Sequence, residues 1–220
     1  MFHSLKSTLL LALLPLASLS ASVSFEYSFL ANSDTDNLGL NGSTFTFTMV
    51  SVGDTWETIN DSNGVGFELA SVQLTIANSS TLDGTYNLIQ TRPTGQVDDK
   101  ATGYLLGGGF LYLGLGRDGG FPIFEAEGAD LTLTSSYAFT FDTYSPSVGD
   151  PIDDEAIAGV TLFVNEFTAT SGGLSNTLGN LITTLNATPY TPPAVPEPAH
   201  AAALFGLGAL GFIAWRRRRA

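Results

Sequence analysis

Thr44-Phe45-Thr46-Phe47-Thr48 and Ser71-Val72-Gln73-Leu74-Thr75-Ile76 decide the fold class. In both, apolar and polar residues alternate one by one. Successive side chains of a strand point to opposite faces, so a period of two makes one face apolar and the other polar. The pattern extends in both directions. Phe25, Tyr27 and Phe29 share one face of an opening strand. Leu131 and Leu133 alternate with Thr132 and Thr134, Phe139 and Phe141 flank Thr140, and Val160, Leu162 and Val164 continue the theme. Turn signals separate these runs: Asn41-Gly42, Asn63-Gly64, Asp83-Gly84, Asp118-Gly119 and Ser171-Gly172-Gly173. Each supplies a positive φ or a local side-chain hydrogen bond. Only a short helix near 153–157 and a longer one over 174–185 are expected within the domain. The predicted fold is all-β, a single antiparallel β-sandwich of jelly-roll-like type. An N-terminal signal helix and a C-terminal transmembrane helix are expected outside it.

The two ends read differently from the middle. Residues 1–22 have a lysine near the start, a leucine-rich stretch and a cluster of small residues at Ser18, Ser20, Ala21 and Ser22. That is the layout of a secretory signal peptide, with cleavage expected between Ser18 and Val23. Signal peptidase and the general secretion machinery are the implied partners. The domain is expected over 23–186 and a proline-rich linker over 187–194. At the other end, 199–215 is an apolar run broken only by His200. As a helix it would reach roughly 25 Å, at the short end for a hydrocarbon core of roughly 30 Å. Trp215 sits where an interfacial aromatic would sit. Arg216, Arg217, Arg218 and Arg219 follow at once and act as a membrane stop, because basic residues stay on the cytoplasmic side. The expected topology is N-terminus outside and C-terminus inside, with inner-membrane lipid around 199–215.

Just outside that run stands Val195-Pro196-Glu197-Pro198. Two prolines fix φ and push the residues before them towards extended geometry. The tetrapeptide, the apolar stretch and the arginine cluster 216–219 together resemble the PEP-CTERM sorting signal of Gram-negative bacteria, over about the last 25 residues. The resemblance implies recognition of Pro196-Glu197-Pro198 by an exosortase, a membrane transpeptidase-like enzyme. It further implies removal of the hydrophobic tail, and release or attachment at the cell surface. Glu197 would then be a processing determinant and not a catalytic group.

Composition narrows the domain's chemistry. Its cations are Arg92, Lys100 and Arg117 against twenty acids, a formal charge of −17. Nucleic-acid binding needs clustered Lys and Arg and is excluded on this ground. There is no cysteine, and both histidines, His3 and His200, lie in the end segments. Thiol chemistry, a Ser-His-Asp triad and histidine or thiolate metal sites are therefore unavailable to the domain.

The remaining candidates are weaker. Gly114-Leu115-Gly116-Arg117-Asp118-Gly119 matches G-x-G-x-x-G, but no helix pattern follows, so it reads as a glycine-rich loop. Asp34 and Asp36, with Asp150, Asp153 and Asp154, are carboxylates in predicted loops and offer a calcium site. Solvated acidic loops are the favoured explanation. No cofactor is expected beyond such a calcium ion. Glu125 and Glu127 are a carboxylate pair of the kind glycoside hydrolysis uses, or simply an exposed polar face. Trp56, Tyr86, Tyr104, Tyr112, Tyr137 and Tyr144 are either core residues or a sugar-stacking platform, with exopolysaccharide as its partner. The leading function is a non-enzymatic surface or extracellular-matrix protein. Its rivals are a carbohydrate- or calcium-binding module and a carboxylate-based glycoside hydrolase.

Overall fold

A computed structural model of the chain describes residues 21–33, 35–59, 64–91, 102–106, 109–113, 123–134 and 138–190. The alternating stretches become strands. β1 (Ser22–Leu30), β2 (Thr44–Ser51), β3 (Glu57–Ile59), β4 (Gly64–Ala77) and β5 (Gly84–Thr91) form the first half. β6 (Thr102–Leu106), β7 (Phe110–Leu113), β8 (Ile123–Ala126), β9 (Thr132–Thr134) and β10 (Ala138–Thr143) follow. After the short helix α1 (Asp154–Ile157) come β11 (Thr161–Val164), β12 (Phe167–Ser171), β13 (Leu174–Leu178), β14 (Leu181–Thr184) and β15 (Asn186–Tyr190). Every pairing among the described residues is antiparallel.

The winding mixes hairpins with longer-range pairings: β5 lies beside β8, β7 beside β10, β9 beside β12 and β11 beside β14. In the hairpins, strands consecutive in the chain lie side by side: β1 with β2, β4 with β5, β6 with β7, β8 with β9, β10 with β11 and β12 with β13. Tight glycine turns enforce this. Gly172 and Gly173 both take positive φ, 58° and 76°, between β12 and β13, a conformation costly for residues with a Cβ. Gly109 before β7 has φ 79°, and a Cβ there would collide with the Tyr144 carbonyl.

Two groups of strands face each other across the core, and several ribbons pass from one to the other. The first half of β4 pairs with β3 and β6, the second half with β2 and β5. The β2–β4 register shifts between Val50 and Ser51 at this bend, the local twist a bulge produces. The last ribbon bends twice: β13 pairs with β12, β14 with β11 and β15 with β1. First and last strands thus meet and close the body. The Thr183 hydroxyl donates to the Ser28 carbonyl at 2.6 Å across the same seam.

The helix expected over 174–185 is corrected to β13 and β14. Leu174, Leu178, Leu181 and Leu185 have helical spacing, but threonine-rich intervening positions favour extended backbone. Ladders with β12 and β11 supply the partners. The short helix does form. The Asp153 side chain caps it, accepting from Ala156 N at 3.0 Å. The first four residues of the expected linker lie in β15, so the sheet continues to Tyr190.

The core is aromatic. Phe25 stacks on Phe67 with centroids 5.1 Å apart, Tyr27 on Phe47 at 5.1 Å and Phe29 on Phe45 at 5.5 Å. Phe167 meets Phe29 edge-on at 6.0 Å, which locks β12 onto β1. Each such pair contributes about 0.5–1.5 kcal/mol beyond its buried area. Outward positions of the β1–β2–β4–β5 face are mostly polar, with Leu30 and Ile89 the exposed apolar exceptions among the described residues. Ser28 bonds Thr46 at 2.8 Å, Thr75 bonds Thr85 at 3.1 Å and Gln73 bonds Asn87 at 3.1 Å.

Candidate functional site

The carboxylate candidates are taken up by the backbone around them. Asp36 Oδ1 accepts from Leu40 N at 2.6 Å, Asn41 N at 3.2 Å and Asn176 Nδ2 at 3.3 Å. It holds the β1–β2 connection against β13. Asp150 Oδ2 accepts from Ser147 N at 2.7 Å, and Asp153 caps α1. Asp154 lies in the first turn of that helix, where a negative charge favours the dipole. Asp34 lies outside the described residues. Among the described residues no three acidic or histidine side chains come together as a metal site.

Glu125 and Glu127 are both exposed. Glu125 projects from the exposed face of β8, opposite Ile89 and Thr132. Glu127 lies past the end of that strand, in a turn whose N–H bonds the Asn87 carbonyl at 2.9 Å. The G-x-G-x-x-G stretch lies outside the described residues.

The aromatic candidates divide. Trp56 is buried against Phe67 at 5.4 Å and belongs to the core. Tyr86 is half-buried and donates to the Leu82 carbonyl at 3.0 Å. Burial, with Asp83 nearby, pushes its phenol up from the ordinary value. Burial of Tyr144, with a smaller effect of Asp142, pushes its phenol up to about 12. Tyr137 and the Tyr104 side chain lie outside the description. Among the candidates whose side chains are described, Tyr112 stands in an outward row. It stacks on Phe139 at 5.2 Å, and Phe139 meets Phe163 at 4.9 Å. Ile182 is the next register partner, and it is 69% exposed.

This row corrects the sequence reading of β10. Alternation around Thr140 suggested that Phe139 faces the core. Instead Ala138 and Thr140 are buried and Phe139 points outward. Thr140 tolerates burial because its hydroxyl donates to the Asp142 carbonyl at 3.1 Å and accepts from Leu111 N at 3.3 Å. Phe163 and Ile182 were not singled out from the sequence. Their signal lay in cross-strand register, which a single chain does not print.

A polar cleft of about 240 Å³ opens where β1 and the β13–β14 ribbon diverge. Asn32, Ser33, Thr35, Glu166, Thr177 and Asn180 line it. Glu166 N donates to Asn180 Oδ1 at 2.8 Å, which ties the two bends together.

The sorting residues Val195, Pro196, Glu197 and Pro198, the span 199–215 and the arginines 216–219 lie outside the described residues, as does the signal segment up to residue 20. The comparison with known families reaches them. Residues 194–219 match the family model of the PEP-CTERM protein-sorting motif. The chain carries a PEP-CTERM sorting signal. No curated protein and no solved structure matches the chain. The PEP-CTERM signal makes an exosortase the processing partner and implies export through a membrane-anchored precursor. It says nothing of the β domain, whose described body ends at Tyr190, shortly before the signal begins.

Proposed function

We propose that this chain is an exosortase-sorted surface or extracellular-matrix protein with a non-enzymatic, structural or adhesive role. Signal peptidase releases the N-terminus, the 199–215 helix holds the precursor N-out and C-in, and the exosortase then acts at Pro196-Glu197-Pro198. The sorting motif over 194–219 carries this reading. A domain with a filled aromatic core and Thr- and Ser-covered strands supports a structural role.

The test is fractionation with mass spectrometry of the mature protein, for the natural chain and for Glu197→Ala. The natural chain is expected at the surface or in the medium without its apolar tail. The Ala variant should keep the tail and stay in the membrane fraction. An identical mature terminus in both would remove Glu197 from processing.

A further inference from the structure

We infer that the folded domain gauges the exosortase's approach to the sorting motif, with residues 191–195 as a spacer whose length sets the rate of processing; this deepens the sorting reading above and rests on it. β15 runs to Tyr190, and only Thr191, Pro192, Pro193, Ala194 and Val195 stand between it and Pro196. Such a spacer spans at most about 18 Å. Beyond the motif the apolar run begins at once, at Ala199. In the proposed precursor, an enzyme acting at 196–198 therefore works in a gap with the bilayer on one side and the folded body on the other.

The wall on the domain side is built into the core. β15 pairs with β1 from Asn186 opposite Glu26 to Tyr190 opposite Ser22. Leu185, just before it, is fully buried. Its N–H donates to the Val160 carbonyl at 3.0 Å, and its carbonyl accepts from Gly159 N at 2.7 Å. Ala187 is buried too, and β1 carries Phe25, Tyr27 and Phe29 into the core. More free peptide on this side can come only from peeling β15 off β1. Among the described residues β15 is paired on one side only, so it can open without disturbing another ladder, at the cost of exposing Ala187 and the β1 edge.

Proteolysis needs an exposed, unfolded stretch, and a site held by folded structure is cut through its open form, in proportion to how often that form is populated. With the natural spacer the motif is reached while β15 stays closed. Ala194 and Val195 alone would reach about 7 Å at most, and strand residues from Thr188 onward would then stand where the spacer stood. Cutting would wait on the opening of β15. An enzyme that instead reads the spacer's own residues is the competing account, and it makes no link to the fold.

The experiment follows loss of the apolar tail from the full chain in cells that process it, by pulse-labelling and mass spectrometry of the membrane and surface fractions. Deleting residues 191–193 should slow tail removal about tenfold or more. Thr191→Ser, Pro192→Gly and Pro193→Ser together keep the length and should leave the rate unchanged. Ala187→Asp added to the deletion places a charge in the buried clasp, opens β15 and should restore most of the rate. Ser51→Ala, which removes the acceptor of the Val23 N–H, is the milder opener where the Asp variant is degraded before it can be read. Unchanged processing of the shortened chain overturns the inference. So does slow processing of the length-matched chain, and so does a deletion that opening the clasp fails to rescue. A natural chain that keeps its tail defeats the sorting reading and this inference with it. Natural and shortened chains that lose the tail equally fast defeat this inference alone.

Discussion

Ser22 faces Tyr190 across the β1–β15 ladder, and the pairing continues inward through Phe25 and Ala187 to Glu26 and Asn186. Both ends of the folded body therefore leave it side by side. In the proposed precursor, the signal segment and the apolar tail would both emerge from the same edge. Closing that edge requires both terminal strands.

The clasp limits where the signal segment can be cut. Val23 is buried, and its backbone N–H donates to Ser51 Oγ at 2.8 Å. Cleavage between Ser22 and Val23 would turn that N–H into a buried ammonium, a costly charge in an apolar setting. The mature chain is expected to begin at Ser22 or earlier, narrowing the Ser18–Val23 window. N-terminal sequencing of the exported protein checks this, and a start at Val23 or later would contradict it. Ser51→Ala removes the acceptor and should cost about 1–3 kcal/mol in urea unfolding.

Asp36 gives the second prediction. Its three hydrogen bonds tie the turn after β1 to Asn176, a side chain 1% exposed. Asp36→Ala should destabilise the domain by about 1–3 kcal/mol, because buried donors lose a charged acceptor. Calcium or a chelator should leave the thermal midpoint of the natural chain unchanged. A calcium-dependent rise that Asp36→Ala abolishes would restore the metal reading.

These two results show what the sequence could and could not reveal. Phe25, Tyr27, Phe29, Phe45 and Phe47 were legible as core because alternation is a local property. The order of strands was not, since side-by-side pairing depends on which ladders form at long range. Leu174, Leu178, Leu181 and Leu185 misled because their spacing fits a helix face, while hydrogen bonds from β11 and β12 fix them as strand. Asp36 and Asp153 were legible as loop carboxylates, but not as caps, because their partners are backbone N–H groups that no composition reveals. Phe139 was misplaced because a buried Thr140 inverted the expected face.

Gln90 supplies a prediction of opposite sign. It is 3% exposed on β5, and neither amide atom meets a hydrogen-bond partner among the described residues. A buried polar group left in that state costs about 1–3 kcal/mol. Gln90→Met keeps much of the volume and removes the polar atoms. Chemical denaturation should show the variant more stable by about 1 kcal/mol or more. A destabilised variant would show that the amide is satisfied in solution and holds β5 in place.

The last prediction concerns alkaline pH. Burial pushes the Tyr27 phenol upward, and it pushes Tyr144 up to about 12, with Asp142 adding to the effect. Unfolded, both would titrate near the ordinary 10.0. The proton is held more tightly in the folded chain, so their contribution is complete below pH 10 and is lost as pH rises above it. For Tyr144 the loss runs from the ordinary value up to about 12. For the fully buried Tyr27 it continues beyond, at about 1.4 kcal/mol per pH unit. Urea midpoints followed from neutral pH upward should therefore stay level and then fall steeply past 10. Tyr27→Phe removes the larger of the two effects and should move the fall to higher pH. A Phe variant with an unchanged alkaline limb would place the sensitive group elsewhere in the chain.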